Sequence, residues 1–394
     1  MVSHLRQRYK AAVIGAGVSG LIVAKRLKAE GLEVIVYERQ SGPGGVWKFT
    51  QNATDKFASP VYGSLETNFP RELMEVSDSP WEDWVSLFPK REMVEKYLQA
   101  YSKGTDVRYD HEVVELFPRT ARQPNTWRLK TRDTKSDKET ILDFDYVVMA
   151  TGTFTRPFRP SYPGLEEWEK MYPNTSGLDI SLQLSNVVQK LWVSSTRPNG
   201  REYKKAKNVK GVNSLVAKNR LVKFEENEEA RDVDNILFCT GYMYTSSFLR
   251  KGMRASDSVF PDGFYVPNLY EHIFWTAKPS LAFIGIPKGG PTFLISQAQG
   301  AVIARAFSPR VVRGLTITHM KAWVEEENTK WNKRRQRGET DEKSFHTLGY
   351  PNCKEYIDRL EQWCLDEDEH AVERAPEGKS FIDYNLNSGV AIFT

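Results

Sequence analysis

The chain has 394 residues, 40% of them hydrophobic, enough to bury more than one core, and at about 150 residues per domain it implies two or three domains. Its formal charge is +4, from 55 basic and 51 acidic side chains, which excludes a surface built for nucleic acid. No apolar run approaches the ~20 residues of a membrane span and residues 1–10 lack a signal-peptide core, so a soluble, cytoplasmic protein is expected; three dispersed cysteines exclude a disulfide framework or a CxxC redox pair, and six scattered histidines exclude a His/Cys metal cluster.

The first predicted element is a short apolar strand at residues 11–14. It runs straight into Gly15, Ala16, Gly17, Val18, Ser19 and Gly20, then into a helix ending near Gly31. This is the strand, glycine turn and helix of a dinucleotide site. Gly15 permits the tight turn, Gly17 lets backbone amides approach a pyrophosphate at the helix N-terminus, and Gly20 permits close packing of helix on strand. Leu21, Ala24 and Leu27 form the buried stripe of the helix. A second strand, residues 34–37, ends at Glu38, placed to accept hydrogen bonds from the two hydroxyls of a ribose.

Two later segments end alike, residues 145–152 (DYVVMATG) and 234–241 (DNILFCTG), and each reads as a buried strand leading into a tight turn. Such a pair predicts two dinucleotide-binding units, with a second glycine fingerprint between them. Only part of one is found. Ser176 and Gly177 align with Ser19 and Gly20, and the alignment continues through a helix to an apolar strand at residues 191–193, followed by Ser194 and Ser195. Ser195 falls opposite Glu38; a neutral side chain there, with Arg197 two residues on, suits a 2′-phosphate and therefore NADPH over NADH. The alternative is that these residues simply open a polar loop. Upstream, Tyr172 and Asn174 occupy the places of Gly15 and Gly17, Pro173 sits inside the turn, and residues 168–171 replace the first strand. That loss removes both a phosphate turn and a central strand.

Several motifs carry a family resemblance. Gly42, Pro43, Gly44, Gly45, Val46 and Trp47 are similar to the segment that follows the second strand in FAD-binding two-domain flavoproteins. Residues 62–70 (YGSLETNFP) resemble the segment that carries the active-site asparagine of the flavin-containing monooxygenases, here Asn68. Residues 88–91 (FPKR), 283–287 (FIGIP) and 296–298 (SQA) also look like signatures of that family, and the resemblance runs over nearly the whole chain. It implies an α/β fold of two nested Rossmann-like dinucleotide-binding domains, the second lacking its first strand and its first two fingerprint glycines. The expected bounds are 1–165 for the first part of the FAD domain, 166–240 for a truncated NADPH domain, and 241–394 for the second part of the FAD domain with a C-terminal helical region. The family's FxGxxxH motif is absent between Trp168 and Ser176, so a single deletion of roughly 25–35 residues, about the leading half of a βαβ unit with its linker, accounts for both gaps.

By the same resemblance, FAD is reduced by NADPH, reacts with O2 to a C4a-hydroperoxide, and transfers oxygen to nitrogen or sulfur of a small nucleophilic substrate. Asn68 is the candidate for stabilising the peroxide, its amide offering donors and an acceptor. Thr67 is expected beside the flavin or nicotinamide, Trp47 with Gly45 and Val46 against the FAD, Val113 at the adenine through its backbone, and Thr151 and Gln297 completing the envelope. An acid expected two residues before the glutamine is replaced by Ile295. A Baeyer-Villiger monooxygenase shares this architecture, although the Asn68 segment favours the first reading; a third possibility is a chain that binds FAD but has lost productive use of NADPH. Residues 330–337 form a basic stretch around Trp331, which reads as a solvated helix face or, alternatively, as a peripheral contact with the endoplasmic reticulum membrane.

Overall fold

In a computed structural model the described residues are 9–51, 56–120, 123–154, 156–171, 188–194, 206–249, 259–260, 263–308 and 316–367. They fall into two compact units, Met1–Thr155 with Met243–Thr394, and Arg156–Tyr242. In chain order the first unit opens with β1 (Lys10–Ile14), α1 (Val18–Ala29), β2 (Glu33–Tyr37), α2 (Arg91–Tyr101), β3 (Val107–Arg108), β4 (His111–Thr120), β5 (Gln123–Asp133), β6 (Glu139–Phe144) and β7 (Tyr146–Met149). The second unit carries β8 (Arg156–Pro157), α3 (Leu165–Met171), β9 (Leu191–Ser194), β10 (Ala206–Val209), β11 (Val212–Val216), β12 (Leu221–Phe224) and β13 (Glu229–Ala230), and the chain leaves it at β14 (Tyr242–Met243). The first unit then resumes with β15 (Leu269–Tyr270), β16 (Phe274–Trp275), β17 (Leu281–Phe283) and three helices, α4 (Thr292–Phe307), α5 (Ile317–Gln336) and α6 (Asn352–Glu367).

The first unit is built on a seven-stranded sheet of order β15-β16-β17-β7-β1-β2-β3. β1 lies between β2 and β7 and is parallel to both, with Ala12 opposite Ile35 on one side and Val147 on the other. Because both faces are covered, β1 is a run of buried small and branched side chains with no polar alternation. α1 and α4 cover one face through Leu21, Ile22, Val302 and Ile303, and Gly300 lets them approach: a Cβ there would lie 3.2 Å from Ile22 Cγ2. The antiparallel sheet β4-β5-β6 covers the other face, where Leu116, Trp127 and Leu129 pack with Ile14, Tyr37 and Val113. Each side chain buried this fully contributes about 1.5–3 kcal/mol, and Trp127 also donates its indole N–H to Ser280 Oγ at 2.9 Å.

At the carboxyl edge of this sheet, β15 and β16 are joined by residues 271–273, a loop closed by the Ile273 N–H on Tyr270 O at 2.9 Å, in which both Glu271 (φ 50°) and His272 (φ 55°) are left-handed. Asn-Gly is the usual choice for such a turn, and each non-glycine residue there costs about 1–3 kcal/mol. Side-chain partners offset that cost. Arg359 bonds both carboxylate oxygens of Glu271, at 3.0 and 2.8 Å, and His272 Nδ1 lies 2.9 Å from His346 Nδ1. His346 Nε2 accepts from the Val266 N–H at 3.0 Å, so its proton is on Nδ1 and is donated to His272. Burial holds both rings neutral, pushing His272 down to about 4 and His346 well below its ordinary value.

The basic stretch on α5 is largely paired. Lys330 contacts Glu326 at 2.8 Å and Glu327 at 2.7 Å, Arg335 contacts Glu342 at 2.5 Å, and Arg337 contacts Glu339 at 3.2 Å. Trp331 is buried against Tyr265 and Phe345. No described helix is long and apolar enough to cross a membrane.

The second unit has its own small core, formed by Leu165, Trp168, Val209, Leu215, Val222 and Phe224. β9 and β10 pair in parallel, and β11-β12-β13 form an antiparallel sheet. Residues 168–171 lie in helix α3. The expectation of a buried strand at 234–241 is overturned: the segment is irregular, partly exposed, and has no strand partner among the described residues. A strand exists through ladder bonds, and the matching β7 has β1 on one side and β17 on the other. The terminal glycines do correspond, since Gly152 (φ 69°) and Gly241 (φ 81°) both make a left-handed turn.

Candidate functional site

β1 ends at Gly15, whose φ of 110° turns the chain sharply while its N–H donates to Tyr37 O at 2.8 Å. A Cβ at Gly15 would lie 2.4 Å from Ala150 O, and one at Gly20 would lie 1.9 Å from Gly15 O. These two glycines are therefore demanded by the protein's own backbone. Gly17 is different: its φ is −75° and an added Cβ would make an ordinary 3.5 Å contact with Gly45 Cα. Gly17 caps α1 with no side-chain hydrogen bond, and the first turn holds no acid, which suits this helix end to an anion. The chain leaves β1 for β2 on one side, while β7 pairs on the other, which makes this end of β1 a topological switch point.

Glu38 stands at the end of β2, nearly buried. Its Oε2 accepts from the Ala16 N–H at 2.7 Å and its Oε1 from the Gln40 N–H at 2.9 Å, so the carboxylate braces the glycine turn as well as facing the site. Burial raises its pKa, an effect that these two amides partly offset. The second glycine loop locks onto the first. Gly44 N–H donates to Ala16 O at 3.0 Å, and Gly45 (φ 57°) has no room for a Cβ, which would lie 2.8 Å from Gly17 Cα. Ser59 Oγ donates to Val46 O, and Trp47 packs half-buried on the main core. From the opposite side, Ser19 Oγ lies 2.8 Å from Ser296 Oγ on α4, and a Cβ at Gly285 would lie 2.6 Å from Ser19 Oγ.

The Asn68 segment is fixed by backbone bonds to the start of α2: Thr67 N–H donates to Pro89 O at 3.0 Å and Arg91 N–H to Leu65 O at 2.8 Å. The Arg91 guanidinium then sits 4.7 Å over the Phe49 ring, two residues beyond Trp47, which ties this segment to the second glycine loop. Thr67 is buried with its hydroxyl donating to Phe69 O at 2.8 Å, whereas Asn68 is exposed and its amide has no partner among the described residues. Val113 is buried beside Tyr37, near the hydrogen bond from His111 N–H to Glu38 O, and Thr151 lies next to Gly15. Gln297 is committed elsewhere: its Oε1 accepts from Ser77 N–H at 2.8 Å and its Nε2 donates to Glu75 O at 3.0 Å. Ser194, in the second unit, donates its hydroxyl to Lys210 O at 2.8 Å. Ser176, Gly177, Ser195 and Arg197 lie outside the described residues. The sequence placed Gly285 and Ser296 in signature segments without a role in the site and passed over Gln299, whose Oε1 accepts from Gly285 N–H at 2.8 Å. Their local pattern gave them no role, because they meet the glycine turn only where the end of β17 and α4 return beside α1.

These features fit a dinucleotide: a glycine turn held tight by the protein's own backbone, an uncapped helix end without acids, and a carboxylate just beyond β2. A sequence profile described as Flavin-binding monooxygenase-like matches residues 8–197. The Arabidopsis thaliana protein named Flavin-containing monooxygenase FMO GS-OX-like 2 is 31% identical over 351 residues, covering 76% of this chain and 74% of that protein. The chain belongs to the flavin-containing monooxygenase family. This flavin-containing monooxygenase is also similar to the Thiol-specific monooxygenase of Saccharomyces cerevisiae, 28% identical over 344 residues, covering 77% of the chain and 78% of that protein. Among solved structures, the S-allyl-L-cysteine S-oxygenase from Allium sativum superposes with a TM-score of 0.75 at 25% identity, covering 93% of this chain and 90% of that one. The family consists of oxidoreductases, and the flavin-containing monooxygenase described above shares their mixed α/β fold with a parallel sheet.

Proposed function

We propose that the chain binds FAD at the carboxyl edge of β1, β2 and β7 and uses NADPH and O2 to oxygenate a small sulfur or nitrogen nucleophile. The observation that carries this reading is the interlock of the two glycine loops over the open N-terminus of α1, with Glu38 beside it. In this reading the N–H groups of residues 17–19 receive the diphosphate, Glu38 accepts from the ribose hydroxyls, the Val113 backbone faces adenine, and Gly45, Val46, Trp47, Thr67 and Thr151 line the flavin. FAD, once reduced by NADPH, supplies the activation of dioxygen. Asn68, held rigidly by the backbone bonds of residues 65–67 but with its own amide free, offers a hydrogen bond to the reacting oxygen, and the buried Thr67 helps to exclude water. Sulfur is the favoured substrate atom, because two of the similar proteins are named for thiol or S-oxygenation.

A second reading is favoured by the helix at residues 165–171 and by segment 234–241, which joins no sheet among the described residues. In it, two nested Rossmann-like domains span 1–165 with 241–394 and 166–240, the second lacks its first strand and two fingerprint glycines, and the chain binds FAD but is poorly reduced by NADPH. Ser176, Gly177, Ser194, Ser195 and Arg197 are then what is left of the NADPH site. Purification with FAD, followed by anaerobic NADPH addition while flavin absorbance is recorded, separates the two. Bleaching by NADPH, with a thioether then converted to its sulfoxide in air, supports the first; bleaching by dithionite alone supports the second.

A further inference from the structure

We infer that the C-terminal helix α6, acting through Tyr356 and Gln299, positions the Gly285 edge of the flavin site; the inference rests on the proposed reading of that site. Gly285 follows β17 at the carboxyl edge of the sheet, with φ of 73°, and it faces Ser19 in the first turn of α1 so closely that a Cβ would lie 2.6 Å from the serine oxygen. Where the Gly285 backbone stands therefore decides where the phosphate-facing turn of α1 can stand.

A hydrogen-bond chain of one fixed polarity holds that backbone. Gly285 N–H donates to Gln299 Oε1 at 2.8 Å, Gln299 Nε2 donates to Tyr356 Oη at 2.7 Å, and Tyr356 Oη donates to Glu271 O at 2.6 Å. Gln299 and Tyr356 are essentially inaccessible, at 0% and 1% exposure, so no solvent can substitute for a missing partner. The polarity matters. Gly285 can only donate, which requires the carboxamide oxygen to face it; the amide nitrogen must then face an acceptor, and the phenol is that acceptor because its own proton is committed to Glu271. Without the hydroxyl, the carboxamide loses the contact that sets its orientation, and a flipped Gln299 would present N–H to N–H. The end of the chain is itself anchored, since Glu271 sits in the left-handed turn clamped by Arg359 from the next turn of α6. One turn before Tyr356, Cys353 fills the space over Gly290, where a Cβ would lie 2.3 Å from its Sγ, so α6 also seats the far end of the 285–290 loop.

The test compares Tyr356→Phe and Gln299→Met, each close in shape to the native side chain, and the double variant. Three quantities are measured: FAD affinity of the apo chain by quenching of FAD fluorescence, visible circular dichroism of the bound flavin, and urea unfolding of the apo chain. Each single variant is expected to bind FAD about tenfold more weakly, with an altered flavin dichroism, and the double variant to lose no more than the weaker single, because all three cut one chain. Unchanged affinity and dichroism in both singles, even with a lower unfolding midpoint, would show that Tyr356 only stabilises the fold and would overturn the inference. Losses that add in the double variant overturn it as well. A wild-type chain that takes up no FAD overturns the reading of the site itself, and the inference with it.

Discussion

Substitution of Gly20 by alanine should damage the chain before any ligand is added, whereas the same change at Gly17 should not. At Gly20 the new Cβ would meet Gly15 O at 1.9 Å and Ala150 Cβ at 3.2 Å, and the nearer neighbour is backbone that cannot rotate aside. The contact must open to at least 3.0 Å, so the start of α1 retreats from the turn by about 1.1 Å. Overpacking of this kind costs about 3 kcal/mol, and a 1 Å displacement of the phosphate-facing amides should weaken FAD binding about 100-fold. At Gly17 the contact is an ordinary 3.5 Å and φ is already −75°, so apo stability should change by less than about 1 kcal/mol while FAD binding weakens about tenfold. Urea unfolding of the two apo variants, with FAD titration of each, reads both quantities. Equal unfolding midpoints for Gly20→Ala and Gly17→Ala would falsify the steric argument.

The buried histidine pair makes stability depend on acid. With His272 held at about 4 against an ordinary value of 6.5, the unfolded chain binds the proton first, so the stabilisation is complete above pH 6.5 and is lost at about 1.4 kcal/mol per unit as pH falls towards 4. Urea unfolding at pH 7.5 and 5.5 should show this loss and His272→Phe should make it shallower, leaving the share that His346 contributes; parallel profiles would sink the idea. Glu38 has the opposite sign, because burial raises its pKa above the ordinary 4.5: the folded chain takes up the proton first, and stability gains slightly as pH falls through that range. FAD affinity should decline over the same range as the acceptor is protonated, and Glu38→Gln, weaker at pH 7.5, should lose the dependence; an unchanged slope in the variant argues against the ribose role. On α5, the ion pairs of Lys330, Arg335 and Arg337 leave little free charge, so cosedimentation with anionic vesicles at physiological salt should be negligible, and a salt-releasable pellet would revive the membrane contact.

Local chemistry was enough for the strand, turn and helix at residues 11–29, for Glu38, and for the family of the chain, because each depends on residues close together in sequence: a glycine where φ must be positive, an apolar stripe, an acid ending a strand. The sequence also marked the repeat at 145–152 and 234–241, but only the tertiary structure decided that the first is a strand and the second is not, since pairing depends on what lies alongside. The same limit applied to Gln297 and Gln299. Two residues apart on one helix, they look alike in sequence, yet one clamps the 75–77 loop while the other holds Gly285 and is oriented by a tyrosine 57 positions away. Which carboxamide holds Gly285 is set by the crossing of α4 with α6 and the sheet, and a linear pattern carries no record of that crossing.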